Sequence, residues 1–282
     1  MKSLTRSLPD CRNHRAFTLI ELVVVLVLIA FAACWLTTGA DHTSPNVRGV
    51  QCLSNLRRLT TAWQMYAHDN QDNLVAVLNG GYVGGGAWAQ GWLDWTTSTD
   101  NTNVNNLLDP RYALIAPYVN GAANLFKCPA NQYLSSVQRT LRWSQRVRSY
   151  SLQVGMGAGN AESGPWDMLY KHVTKASAML NPTPGETIVF VEEHPDSMND
   201  PAIFPPYRTT WVDLPATYHN GGCAFGFADG HSELHCWRAS LTSARARQVS
   251  TLDYLNMVLA PVGDADIHWM SFHSQRASTN SY

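Results

Sequence analysis

From Phe17 to Leu36 the chain reads FTLIELVVVLVLIAFAACWL, a run broken by one charge, Glu21. A helix of that length spans about 30 Å, the thickness of a bilayer core. The run must therefore lie in a membrane or against other apolar surface. A carboxylate inside it costs roughly 2.5–3.5 kcal/mol on insertion scales, so Glu21 needs a compensating partner. Cutting the chain between Ala16 and Phe17 supplies one. Phe17 then carries a free α-amine, and Glu21 can neutralise the α-amine of a neighbouring copy. A paired buried charge is tolerated where an unpaired one is not. Glu21 reads as a device that sets subunit register.

Other targeting signals fit less well. A secretory signal peptide has a shorter apolar region, followed by its cleavage site. Here the run is longer, contains an acid, and the small residue precedes it. Phe31-Ala32-Ala33-Cys34 loosely resembles a lipoprotein cleavage site, with Phe a poor first residue. Residues 1–16 hold Lys2, Arg6, Arg12 and Arg15 against Asp10. Positive flanks stay in the cytoplasm, so the chain from about Thr37 onward is expected outside, making a single-pass inner-membrane protein.

The whole chain balances 20 Lys+Arg against 21 Asp+Glu, and removal of residues 1–16 leaves 16 against 20. That mild acidity excludes the basic stripe a nucleic-acid partner needs. Only 15% of residues are charged, and ten are Trp. Residues 38–282 are enough for one good core or two small domains and read as an extracytoplasmic region. A nucleophile elbow, a phosphate-binding loop and a dinucleotide fingerprint are all missing from the sequence, so an enzyme is not expected.

Gly39 and Pro45 mark a break. A helix is expected over 46–69, with Val50, Leu53, Leu56, Leu59, Trp63 and Tyr66 as its core stripe and Arg48, Arg57 and Arg58 solvated. Trp88, Trp92 and Trp95 lie among glycines. They read either as core aromatics on a loop or as an exposed platform for a glycan or partner. A short helix is expected from about Asp109-Pro110. Segments 148–154, 187–191, 223–228 and 231–237 read as strands.

Asp229-Gly230 predicts a two-residue hairpin turn. In that register Cys223 faces Cys236 in a close, non-hydrogen-bonded pair, and a cross-strand disulfide is expected. A three-residue turn would defeat it. His231, Glu233 and His235 then share one face. Cys52 and Cys128 could also pair, whereas Cys11 leaves with residues 1–16 and Cys34 lies in the apolar run. Glu192, Glu193, His194, Asp196 and Asp200 crowd one segment. With His219, Asp229 and His231 they make a candidate divalent-metal set, although no spacing matches a standard zinc motif.

Two stretches carry a resemblance. The basic leader, small residue and FTLIELVVVLVLIA resemble the type IV pilin and pseudopilin class, in which a prepilin peptidase cuts before the Phe and methylates its amine. The usual residue before the cut is Gly; here it is Ala16. His219, nine residues, then Asp229-Gly230 resembles the H-X9-DG signature of prepilin-like proteins abundant in Planctomycetes and Verrucomicrobia. QCLSNLRRLTTAWQMYAHDN, GWLDW, LFKCPAN, RVRSYSL and FVEEHPDSMND agree with it. The resemblance covers roughly residues 17–240. It implies a pilin-like α+β fold in which a long N-terminal transmembrane helix packs on a mainly antiparallel sheet, with residues 38–282 as the extracytoplasmic region. It implies a filament subunit of a pilus or of a type II secretion pseudopilus. Its partners would be copies of itself or related pilins, the peptidase and an inner-membrane assembly platform. Some relatives bind calcium, so a divalent metal is the one cofactor considered. The alternatives are a membrane-anchored glycan- or partner-binding module and a metal-dependent enzyme.

Overall fold

The computed structural model describes residues 19–37, 45–77, 85–159, 171–206, 209–238, 258–259 and 261–275. Five α-helices are described: α1 (Leu19–Thr37), α2 (Pro45–Asp69), α3 (Asn105–Leu108), α4 (Ser136–Thr140) and α5 (Ala265–Phe272). Seven strands accompany them: β1 (Tyr150–Gln153), β2 (Ile188–Glu192), β3 (Ala202–Ile203), β4 (Thr210–Trp211), β5 (Gly222–Phe227), β6 (Ser232–Cys236) and β7 (Val258–Leu259). The chain divides into two compact units, residues 1–43 and 44–282.

In the first unit, α1 places Glu21 in its first turn. Its described side chains, Leu19 to Leu28, are all exposed, with Leu19 and Ile20 more than 70% so. Among the described residues no helix is long and apolar enough to cross a membrane. Ala16, Phe17 and most of the expected break before Pro45 lie outside the described residues.

In the second unit, α2 starts with Pro45 in its first turn, where the missing N–H costs nothing. It ends where Gln71 and Asp72 turn left-handed, with φ 58° and 69°, and the Asp72 N–H reaches the Ala67 carbonyl at 2.8 Å. The buried stripe is Cys52, Leu56, Leu59, Trp63 and Ala67. Val50, expected in the core, is 68% exposed, and Cys52 takes the inward position instead. Arg57 and Arg58 are exposed as expected.

The main sheet has the order β3-β1-β2-β5-β6. Its β1–β2, β2–β5 and β5–β6 pairings are antiparallel and β1–β3 is parallel, so the sheet is mixed. The four strand segments expected from sequence are β1, β2, β5 and β6. The expected helix at Asp109-Pro110 is displaced. α3 ends at Leu108, and Asp109 is extended, as a residue before proline prefers.

Alternation along β5 separates two cores. Ala224 and Gly226 face α2, together with Tyr150, Leu152 and Phe190. Cys223, Phe225 and Phe227 join Ile188, Val191, Trp211 and the Ile267 and Met270 side chains of α5. The helix lies tightly against the sheet at Gly226. A Cβ there would lie 2.6 Å from Thr60 Oγ1 and 3.7 Å from Leu56. Thr60 is buried, and its hydroxyl donates to the Leu56 carbonyl at 2.9 Å, so it has little room to give way. Two further bonds hold the helix to the hairpin: Gln64 Nε2 to the Ala228 carbonyl, 2.8 Å, and Ser232 Oγ to the Leu53 carbonyl, 3.0 Å.

The hairpin turn corrects the expected disulfide. Phe227 N–H donates to the His231 carbonyl at 2.9 Å, and Gly230 has φ 98°. The loop is therefore Ala228-Asp229-Gly230, three residues closed by a left-handed glycine. That shifts the register by one. Cys223 faces His235, and Gly222 faces Cys236. Cys223 is buried, Cys236 is exposed, and both are free thiols.

Gly226→Ala should lower stability by about 1–3 kcal/mol through overpacking. Adding Thr60→Ala should recover part of that loss in denaturant unfolding of the detergent-solubilised chain. Strictly additive effects of the two changes would mean that the helix does not rest on the sheet at this point.

Candidate metal centre

One buried cluster gathers side chains from four separate segments. Cys52 lies on α2, Cys128 on the loop after Phe126, Glu192 at the end of β2, and His219 on the turn before β5. One ligand atom from each lies within 4.8 Å of all the others, and all four residues are buried. His219 Nε2 is 3.2 Å from Glu192 Oε2 and 3.6 Å from Cys128 Sγ. Cys52 Sγ is 3.5 Å from Glu192 Oε1.

The fold explains the meeting. Tyr150 and Glu192 are direct partners across β1 and β2, on the face that receives α2. Cys52 is the residue of α2 that sits above them, and Tyr150 O–H donates to its sulfur at 3.1 Å. Asn55, one turn further along, donates from Nδ2 to the Asn124 and Lys127 carbonyls, which ties the Cys128 loop to the helix. His219 is held by a tight turn through Asn220 and Gly221, both at positive φ, with the Gly222 N–H donating to the His219 carbonyl at 3.0 Å.

Burial works against the His219 imidazolium, but hydrogen bonds to Cys128 and Glu192 outweigh it and raise its pKa to about 10. Burial, then the neighbouring Cys128 and Glu192, push the Cys52 thiol upward. Burial also raises the Tyr150 phenol. His219 Nδ1 has no partner among the described residues.

Of the expected metal set, only Glu192 and His219 join this cluster. Strand alternation sends Glu193 to the other side of the backbone. There it accepts from Ser151 and Ser197, and Arg148 bridges to the same Ser151 hydroxyl. His194 Nδ1 accepts the Asp196 N–H at 3.3 Å within its own turn. Asp200 accepts the Ala202 N–H at the start of β3. Asp229 pairs with His231 at 2.6 Å on the exposed hairpin. Cys52 and Cys128, considered from sequence only as a disulfide pair, complete the cluster as free thiols. Of the three tryptophans considered as an aromatic platform, Trp88 takes the core alternative. Trp88 is fully buried, stacks on Phe126 and meets Phe190 edge-on, while Trp92 and Trp95 are half-buried. Arg146 lies 4.3 Å over the Trp95 ring.

A second polar group lies on the Glu193 side of the sheet. Asp213 accepts the Phe204 N–H at 2.7 Å and the Ser197 hydroxyl at 3.4 Å. Burial raises its pKa to about 8 against the Phe204 bond, with the charge of Asp200 adding to the rise. Glu193 is also raised, by burial and then by Asp213, against the attraction of Arg148. Asp213 thus keeps in the fold a proton that the unfolded chain releases near pH ~4. Its contribution to stability is complete below that pH and is lost as pH rises toward about 8. Asp213→Asn should flatten the decline in melting temperature between pH 5 and pH 8. Parallel profiles for variant and parent would contradict the assignment.

Residues 11–33 match the family described as the prokaryotic N-terminal methylation motif. No curated protein and no solved structure matches the chain. The motif is consistent with a type IV pilin-like protein and points to a substrate of prepilin peptidase.

Proposed function

We propose that the chain is a structural subunit of a type IV pilus-like or type II secretion pseudopilus filament, cut before Phe17 and methylated there. The match of residues 11–33 to the methylation motif carries this reading. The placement of Glu21 in the first turn of α1, among exposed Leu, Ile and Val side chains, supports it. Before assembly those side chains are covered by the inner membrane, with residues 38–282 outside. After extraction they are covered by the same helix of neighbouring copies. Apolar burial at ~25 cal/mol per Å² drives the exchange, and the Glu21 carboxylate meeting the Phe17 amine of a neighbour fixes the register.

The second unit is then the part that the filament displays. It works mechanically rather than catalytically, as a compact block around two cores. The H-X9-DG pattern has a structural reading in it. The nine intervening residues span the turn at Asn220-Gly221 and the whole of β5, with His219 in the buried cluster at one end and the Asp229-Gly230 turn at the other. The subunit belongs to the prepilin-like group that carries this signature.

Glu21→Ala should leave membrane insertion intact and abolish assembly into filaments, read as loss of sheared or sedimentable polymer from cells. Polymer at the parental level would overturn the registration argument.

A further inference from the structure

We propose that Cys52, Cys128, Glu192 and His219 bind one zinc ion and that the ion staples α2 to the sheet. The donor set selects the metal. Two sulfurs, an imidazole nitrogen and one carboxylate oxygen suit borderline-soft zinc. They do not suit calcium, which takes six to eight oxygens. Four protein ligands in a closed, buried site are the mark of a structural centre rather than a catalytic one, which keeps a position open for water.

The distances agree. A tetrahedron with zinc–sulfur bonds of about 2.3 Å and zinc–nitrogen or zinc–oxygen bonds of about 2.0–2.2 Å has edges of roughly 3.3–3.8 Å. The three separations Cys128 Sγ to His219 Nε2, Cys52 Sγ to Glu192 Oε1 and His219 Nε2 to Glu192 Oε2 are 3.6, 3.5 and 3.2 Å. These three separations lie close to those edges, the two Glu192 contacts being made by different carboxylate oxygens. One ligand atom from each residue lies within 4.8 Å of the others, so small side-chain shifts would close the tetrahedron.

An outer layer of donors is a second, independent observation. Each anionic ligand accepts a hydrogen bond from outside the set. Tyr150 O–H donates to Cys52 Sγ at 3.1 Å, Ala130 N–H to Cys128 Sγ at 3.3 Å, and Ala224 N–H to Glu192 Oε2 at 3.2 Å. Such donors orient metal ligands and stabilise thiolate charge. Two packed thiols serving only as small apolar core residues would not need them. On binding, both thiols and the imidazolium release their protons to solvent, which couples occupancy to pH.

The consequence is mechanical. The ligands join positions spread along the chain from Cys52 to His219. A subunit under tension along a filament would be cross-linked without a disulfide. The proposal stands apart from the filament reading, because it concerns only the second unit.

The test uses the full chain, extracted in detergent with reductant and loaded with Zn²⁺ or Co²⁺. About one zinc per chain should survive gel filtration. Cobalt should give a thiolate charge-transfer band that Cys52→Ser and Cys128→Ser each weaken or abolish. Tyr150→Phe keeps the buried ring but removes one outer donor. It should weaken zinc 10–100-fold in chelator competition, and it serves even if the cysteine variants do not fold. Failure to retain zinc would overturn the proposal. So would a cobalt spectrum without thiolate character, or a Cys52–Cys128 disulfide in the protein as isolated from its membrane.

Discussion

The second unit depends on how closely α2 can lie on its sheet. Gly226 sets that distance, because any side chain there would meet Thr60 and Leu56. With the helix seated, Leu56, Leu59 and Trp63 close the core over Phe190 and Ala224. The same seating brings Cys52 down onto the Tyr150–Glu192 pair. Packing and polar chemistry are therefore one constraint. A helix raised by even an ångström would lose both the apolar contacts and the buried cluster.

Strand alternation decides which acids meet. Glu192 and Glu193 are neighbours in sequence but lie on opposite faces. One joins a cysteine and histidine cluster, and the other joins an arginine, serine and aspartate network. Both are fully buried. Each such group must be matched by donors or countercharge, or it would unfold its surroundings. The matching comes from residues far away in the chain, so each acid helps specify a particular tertiary arrangement.

Several parts of this were legible in the sequence. The α2 helix, four of the strands and the exposed Arg57 and Arg58 follow from periodicity and composition. The hairpin was located but misregistered. Asp-Gly marks a turn without stating whether two or three residues form the loop, and a single residue decides whether Cys223 faces Cys236 or His235. Val50 and Cys52 lie two positions apart, about 200° around a helix, so they sit on nearly opposite faces. Cys52, one turn before Leu56, shares the buried face and Val50 does not. The Trp88 loop was ambiguous because glycine-rich stretches serve equally to expose an aromatic or to fold it inward. The four-residue cluster left almost no local trace, since each ligand is alone on its segment. Cys52, Cys128 and the His219 of the H-X9-DG pattern are each visible in the sequence, but nothing local joins them. That pattern points to buried chemistry only once the strand β5 is seen to fill the spacing.

The account joins an N-terminal segment that matches the prepilin methylation motif to a compact α+β unit held by a helix, a sheet and a buried polar cluster. Its central claim is that the chain is a processed prepilin-type subunit. The most direct measurement is the mature N-terminus, by mass spectrometry on protein extracted from its native membrane. The account predicts a chain that starts at N-methylated Phe17. An intact leader, or a start at lipid-modified Cys34, would contradict it.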